Sequence, residues 1–513
     1  MATTSPSFPS HDRRPINIGV TASLHGKIFT GAGWIVGWRM STRALGLIST
    51  LVLARLLLPA DFGMVALATG FAQAIEAMSY MGVEDALVRA ENPGRRLYDT
   101  GFTLNLLRGM AMACLLAAFA GPAAAWFAEP RLIDLIYALA AGAAIEGLGN
   151  IGLVEFRRDF AFQREFVSMI LPRLLSIVLM IATAWIWRSY WALVVGILTM
   201  RIARVAFSYR LHPYRPRLSL AAWRGLIGYS FWSWLAALAV MVRERSTPLL
   251  IGRLLGTGPV GVYSIGADLA ALPTSELVEP LSRAAFSGFA AARNSGASAG
   301  EIYLRVVATT ALLTLPAGIG TSLIADPLVR LLFGPNWVAA IPLVQVLAIA
   351  GAATVFGYIG WTLFSAHALL RTVLTVSILA AIVRVALLVL LLPKAGVLGA
   401  AIAVTLSIVV EDALYIGLTI RRFGVRLAAL WAHIWRGMLA ASCMAIVLVG
   451  SGLGWTTVLG TPVQLAIRLA AAIALGGSVY LAVLLLSWLA SGQPPGAEAD
   501  AIQMLKSRLR RAI

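Results

Sequence analysis

Charge is scarce in this sequence. Of 513 residues only 12% are charged, where a soluble protein of ordinary composition carries about 25%. Acidic residues are the rarer kind, 23 against 41 basic ones, and lysine is nearly missing, with Lys27, Lys394 and Lys506 the only examples. The arginine skew suits phosphate, which a planar guanidinium grips with a fork, and genome-wide codon bias produces the same skew. The two cysteines, Cys114 and Cys443, both lie in apolar stretches. That excludes a disulfide framework or a thiolate metal centre and leaves two small core residues. The five histidines (His11, His25, His212, His367, His433) are scattered, and no His-Glu-x-x-His occurs, so no metal ligand is assigned. Gly26-Lys27 is followed by Ile28 and lacks the leading glycine of a phosphate loop, which excludes an ATPase of that type. The loops are too short for a glycosyltransferase or hydrolase domain, and no catalytic residue is assigned. Residues 1–29 are polar, with Arg13, Arg14 and Lys27, and show no apolar segment before a small-residue cleavage site. No removable signal peptide is expected.

What is present is apolar length. Hydrophobic residues make up 59% of the chain, and stretches long enough to cross a bilayer, about 20 residues each, recur from residue 30 to residue 490. Short alternating strands of a transmembrane barrel are not seen. The sequence predicts an all-α polytopic membrane protein of about fourteen spans. They lie near 32–57, 62–83, 101–125, 131–152, 166–187, 190–209, 224–250, 259–281, 303–325, 341–365, 370–392, 396–419, 435–455 and 463–489. The net charge of +18 then points to arginine-rich cytoplasmic loops rather than to nucleic acid, which is not an expected partner. One set of loops holds Arg89, Arg95, Arg96, Arg157, Arg158, Arg164, Arg210, Arg215 and Arg217; the opposite set holds little beyond Arg131, Arg188, Arg330 and Lys394. The asymmetry places both termini in the cytoplasm.

A phrase is written twice. ARLLLPADFGMVALA (Ala54–Ala68) aligns without a gap on GRLLGTGPVGVYSIG (Gly252–Gly266), with Arg55 on Arg253 and Gly63 on Gly261. FAEPRL (Phe127–Leu132) is echoed by IADPLV (Ile324–Val329). The offset is one unit of six spans. Six is even, so both units enter the membrane in the same direction, and their pseudo-two-fold axis runs along the membrane normal. The expected organisation is a cytoplasmic tail (1–29), an N-lobe (30–210, spans 1–6), a C-lobe (211–422, spans 7–12), a helix pair (423–490, spans 13 and 14) and a basic cytoplasmic tail (491–513). In that last tail Ile502, Leu505, Leu509 and Ile513 fall at helical spacing against Lys506, Arg508, Arg510 and Arg511. This fits an interfacial helix on anionic membrane lipids and fits a solvated basic tail equally.

Charge inside spans is costly, so each such residue is a functional candidate. Arg39 and Arg43 share one face of span 1, and Arg243, Glu244 and Arg245 lie deep in span 7, its repeat partner. Arg173 follows Pro172 in span 5, and Arg384 sits mid-span in span 11, the partner of span 5. These six arginines, Arg39, Arg43, Arg173, Arg243, Arg245 and Arg384, form the candidate substrate-binding set. Arg108 and Arg204 fall nearer span ends, where a guanidinium snorkels to the interface, and Arg201 fits that reading and an interior one equally. Glu76, Glu146, Asp268 and Glu276 are candidates to carry a coupling proton or sodium ion; no other cofactor is expected. Asp61 opens span 2 as a helix cap.

LARLLLPADFGMVALA, then VEFRRDFAFQREF (Val154–Phe166), LLIGRLLGTGPVGVYSIGADL and LLFGPNWVAAIPLVQVLA (Leu331–Ala348) together resemble the polysaccharide flippases of the multidrug/oligosaccharidyl-lipid/polysaccharide exporter superfamily, over roughly residues 30–425. The resemblance implies two six-helix lobes facing across a cavity in the bacterial inner membrane. It also implies a cargo of undecaprenyl-pyrophosphate-linked oligosaccharide, moved by alternating access for lipopolysaccharide or exopolysaccharide synthesis, with other polysaccharide-assembly membrane proteins as partners. Before LLIGR, members of that family often carry Asn or Asp; here the stretch is Arg245-Ser246-Thr247-Pro248. Two alternatives stand beside it. A cation-coupled multidrug exporter on the same fold calls for carboxylates in the cavity rather than arginines. A membrane-embedded polysaccharide polymerase or ligase calls for a larger outside loop than the stretch near 326–340.

Overall fold

The computed structural model describes residues 40–78, 83–90, 93–159, 161–223, 231–296, 298–457, 459–494 and 496–500, with Gly37 and Gln503. Arg39, the tail 1–29 and nearly all of the tail helix expected over 502–513 lie outside the described residues. Those described are mostly helical, with no strand among them. In chain order they form α1 (40–56), α2 (Pro59–Met78), α3 (Val83–Arg89), α4 (Arg95–Phe127), α5 (Leu132–Gly147), α6 (Val154–Arg158), α7 (Phe162–Trp187) and α8 (Trp191–Leu211). The second half follows with α9 (Phe231–Leu255), α10 (Thr257–Ser295), α11 (Ala299–Leu323), α12 (Ala325–Leu332), α13 (Ile341–Ala353), α14 (Val355–Ala366) and α15 (Leu370–Phe423). Then come α16 (Leu427–Gly450) and α17 (Pro462–Ala490).

Eight of the described helices are long and apolar enough to cross a membrane, nine if the bent pair Leu132–Gly147 and Ile151–Arg158 is one span. Fourteen is not reached by that criterion among the described residues, which hold only part of span 1, and two further spans go uncounted for plain physical reasons. Helix α9 carries three adjacent charges at Arg243, Glu244 and Arg245. Helix α15 counts once, yet its 54 residues extend about 80 Å at 1.5 Å each, far more than one crossing. It doubles back at Gly396, whose φ of 57° and ψ of −144° break the helix. The Arg384 Nε donates to Ser407 Oγ at 2.9 Å across that hairpin, a contact no straight helix allows.

The repeated phrase explains how the two halves meet. Helices α2 and α10 cross where Gly63 and Gly261 lie. A Cβ on Gly63 would collide with the carbonyl of Thr257, and one on Gly261 with the carbonyl of Pro59. Thr257 is the repeat equivalent of Pro59, so each glycine meets the same point on the other helix. Such reciprocity is what a two-fold relation produces, and small residues let helix backbones approach this closely in a membrane. The turns before the two helices are built differently. Asp61 Oδ2 accepts the Leu58 N–H at 3.0 Å, as a cap should, whereas the second copy uses Gly256 at φ 89°.

Other ties gather at this same, arginine-poor end. Trp337 Nε1 donates to the Ala54 carbonyl at 2.8 Å. Arg55 Nε donates to the Leu332 carbonyl at 3.3 Å, and its repeat equivalent Arg253 lies over the Trp126 ring at 5.9 Å. One continuous apolar core joins Leu57, Met64 and Leu135 of the first half to Ile251, Val260 and Trp337 of the second. Towards the arginine-rich end the cores are separate. One holds Val83, Leu87 and Ile151; another holds Val278, Phe289 and Ile359. The halves are therefore fused by burial at one end only.

Segment 212–222, which follows α8, is stapled to the arginine-rich end of the first half. Tyr214 donates its hydroxyl to Asp99 Oδ1 at 2.5 Å, and the Arg217 and Ser219 N–H groups donate to Asp99 and Thr103, each at 2.9 Å. Burial, reinforced by the Asp99 carboxylate, holds the Tyr214 phenol well above its ordinary range. Helices α16 and α17 pack beside α11, with Tyr480 Oη donating to the Leu312 carbonyl at 2.7 Å. The start of the C-terminal tail turns back on this pair, and Glu498 buries against Arg436 Nε at 2.7 Å. Outward, Ile446, Leu481 and Leu486 are exposed, as a lipid-facing surface requires.

Candidate functional site

A cavity of about 410 Å³ opens inside the first half. Its charged walls come from α3 to α8: Glu84, Arg108, Glu146, Arg157, Glu165, Arg173 and Arg204, with Arg201 and Glu76 in a narrow extension. Glycines place them. Gly109 and Gly147 abut, and a Cβ on Gly109 would lie 2.8 Å from the Gly147 Cα. The neighbours of that pair, Arg108 and Glu146, are thereby delivered to one wall. Gly142 leaves room for the Arg201 stem, and Gly46 of α1 leaves room for Arg173, whose Nη2 would lie 2.8 Å from a Cβ there.

The charges do not balance. Glu146 is shared by Arg204 Nη1 at 3.1 Å and Arg201 Nη1 at 3.5 Å. Arg157 is engaged by Glu165 at 2.7 Å and Glu84 at 3.5 Å. Arg108 and Arg173 have no carboxylate partner among the described residues, and the Nε of each is buried without a hydrogen bond. Both side chains are only partly buried, so their remaining N–H groups face the cavity as charged donors suited in chemistry to an anion.

The second half holds its own cavity, in two compartments of about 460 and 400 Å³ that share Glu244, Tyr263, Thr354 and Tyr358. Here the arginines are spoken for. Arg243 Nη1 is clasped by the Glu411 carboxylate and its Nε by Glu244 at 3.2 Å. Arg384, 6% exposed, reaches Glu244 at 3.6 Å and Ser407 at 2.9 Å. Asp412 accepts the Gly357 N–H at 2.8 Å.

Between the halves, Arg43 Nε pairs with Glu276 at 2.9 Å, and its Nη2 donates to Ser275 Oγ at 3.3 Å. Asp268 lies on the same helix, α10, within electrostatic reach of Arg43 and Arg245.

The structure thus separates the six arginines singled out from the sequence. Arg173 faces the first cavity, Arg43 spans the gap, Arg243 and Arg384 are bound to carboxylates in the second cavity, Arg245 stands near Asp268, and Arg39 is outside the described residues. Arg108 and Arg204, assigned by position to the interface, line the first cavity, as does Arg201, whose position fits either reading. The sequence signals that would have found them are the Arg108-Gly109 and Glu146-Gly147 dipeptides. Among the four acidic candidates, Glu146 and Glu276 are in ion pairs, Glu76 lines the first cavity, and Asp268 has the two arginines nearby.

A profile of the family described as polysaccharide biosynthesis protein matches residues 52–342. The succinoglycan biosynthesis transport protein ExoT of Rhizobium meliloti is 24% identical over 334 residues, covering 64% of this chain and 68% of that one. The lipopolysaccharide biosynthesis protein WzxC of Escherichia coli is 21% identical over 333 residues, with the same coverage of 64% and 68%. Among solved structures, the inward closed conformation of the lipid II flippase MurJ superposes with a TM-score of 0.72 at 12% identity, covering 88% of this chain and 98% of that one. An inward-facing multidrug resistance transporter of the MATE family gives 0.57 at 16% identity, covering 74% and 94%.

Proposed function

Because the chain belongs to the polysaccharide biosynthesis protein family, we propose that it is a flippase for undecaprenyl-pyrophosphate-linked oligosaccharide in the bacterial inner membrane. The observation that carries this reading is the pair of half-buried guanidiniums of Arg108 and Arg173 in the first cavity, neither with a carboxylate partner among the described residues and each with its Nε buried without a hydrogen bond. A pyrophosphate supplies the missing acceptors, and charge-assisted forks are the strongest neutral-pH grip on it. Taking such a headgroup through hydrocarbon unaided costs on the order of several kcal/mol per unpaired polar group; a polar cavity lowers that cost while the prenyl tail stays in lipid.

Alternating access follows from where the halves are fused. With the arginine-rich loops in the cytoplasm, the shared core lies at the periplasmic end and the separate cores at the cytoplasmic end. This is the geometry of a transporter open to, or opening towards, the side where the cargo is made. Rocking one half against the other exchanges the sealed end. Coupling to H⁺ or Na⁺ would act through a carboxylate that competes with the cargo. Glu146, shared by Arg201 and Arg204, supports this reading, since an ion held there would free both arginines for the pyrophosphate.

The drug-exporter alternative asks for carboxylates free to meet a cation; in the second cavity Glu411 and Glu244 already meet one in Arg243. The test is flipping in proteoliposomes of undecaprenyl-pyrophosphate-linked units set against uptake of an organic cation. Translocation of the lipid, lost with Arg173→Ala, is the expected result. Cation transport with no movement of the lipid would overturn the proposal.

A further inference from the structure

The second cavity is unsuited to a phosphate yet large and intramembrane, with a few polar groups set in a mostly apolar wall. Resting on the cargo reading above, we infer that it is the sugar site: it receives the uncharged pyranose next to the pyrophosphate while the first cavity holds the phosphates. Three observations converge. The compartments, about 460 and 400 Å³, fall in the range of roughly 300–1,000 Å³ that encloses a small organic ligand. Their wall includes Tyr358 and Trp361, one helical turn apart on α14, with ring centroids 5.7 Å apart and planes at 37°. Both rings line the cavity and both are 39% exposed. A broad aromatic face of this kind suits the C–H face of a pyranose ring. The remaining wall offers the hydroxyls of Ser275 and Thr354 and the carboxylates of Glu244 and Glu279, which accept or exchange hydrogen bonds with sugar hydroxyls.

Charge decides the class of sugar. Both guanidiniums in this cavity, those of Arg243 and Arg384, are tied to carboxylates. A uronic acid here would find no free cation and would meet Glu244 and Glu411. The site therefore favours a neutral hexose, and the cargo lies across the molecule with its phosphates in one half and its first sugar in the other.

The test uses the full-length protein in nanodiscs and two probes, undecaprenyl pyrophosphate and the same lipid carrying one glucose. The glucosylated lipid should bind about tenfold more tightly. Trp361→Ala should abolish that difference and leave binding of the bare lipid unchanged, and Trp361→Phe should restore most of it. Arg173→Ala should weaken both lipids together. Equal binding of the two lipids by the wild type, or an equal loss of both in Trp361→Ala, would overturn the sugar site while leaving the pyrophosphate site standing. Failure of the wild type to bind either lipid would overturn the cargo reading itself, and the sugar site with it.

Discussion

The two cavities each gather arginine inside the membrane, and they treat it in opposite ways. In the second, Arg243 and Arg384 are interleaved with Glu244 and Glu411. In the first, Arg201 and Arg204 share one carboxylate, and Arg108 and Arg173 have none among the described residues. Repeated helices thus need not carry repeated electrostatics. An arginine bound to carboxylates holds helices in register; an arginine without one keeps charged donors free to meet an anion.

That contrast is sharpest where single charges are removed. Arg243→Ala strands Glu411 in the membrane interior and should cost about 3–5 kcal/mol, as breaking a buried pair does. The double change Arg243→Met with Glu411→Leu should recover most of it, read by thermal unfolding in detergent. A double variant as unstable as the single one would break the claim that this pair is structural.

The opposite outcome is expected in the first cavity. Arg108→Ala and Arg173→Ala remove charges with no carboxylate partner, so the fold should keep its melting temperature. Binding of undecaprenyl pyrophosphate should weaken by about 1.5–3 kcal/mol for each charged hydrogen bond lost, measurable in nanodiscs. A large fall in melting temperature without loss of binding would erase the difference between the cavities.

The crossing that both halves share tests the symmetry. Gly261→Ala places a methyl against the Pro59 carbonyl and should destabilise the sealed end by about 1–3 kcal/mol, the usual cost of overpacking. A cysteine introduced at Ala60 should then label faster from the periplasmic side. Gly63→Ala, meeting Thr257, should do the same to a similar degree.

The smallest effect is expected at the linker. Tyr214→Phe removes a donor to Asp99 and should cost about 1 kcal/mol. The raised phenol pKa also sets a pH dependence. Its contribution is complete below the unfolded value of about 10 and is lost as pH rises through the higher folded value. Proteolysis within 212–222 should therefore quicken only in strong alkali, and Tyr214→Phe should remove that alkaline step.

Much of the fold was legible in residues. Apolar length reveals a helical membrane protein because bilayer thickness demands it, and the doubled phrase reveals two-fold packing because Gly63 and Gly261 can be nothing larger where they touch. The binding set was less legible. Arg108 and Arg204 lie at depths that look interfacial along the chain; the abutting glycines of α4 and α5 turn Arg108 inward, and Glu146 beside it draws Arg204 to the same wall. Arg243 and Arg384 look like free cations until the hairpin at Gly396 brings Glu411 and Ser407 beside them.

By itself the sequence determined the environment, the helical class and the internal repeat, since these follow from composition and periodicity over many residues. Which arginines are neutralised was decided by tertiary structure alone. A guanidinium in hydrocarbon takes its character from the groups within about 4 Å. Glu411 stands 168 positions from Arg243, and Ser275 232 positions from Arg43.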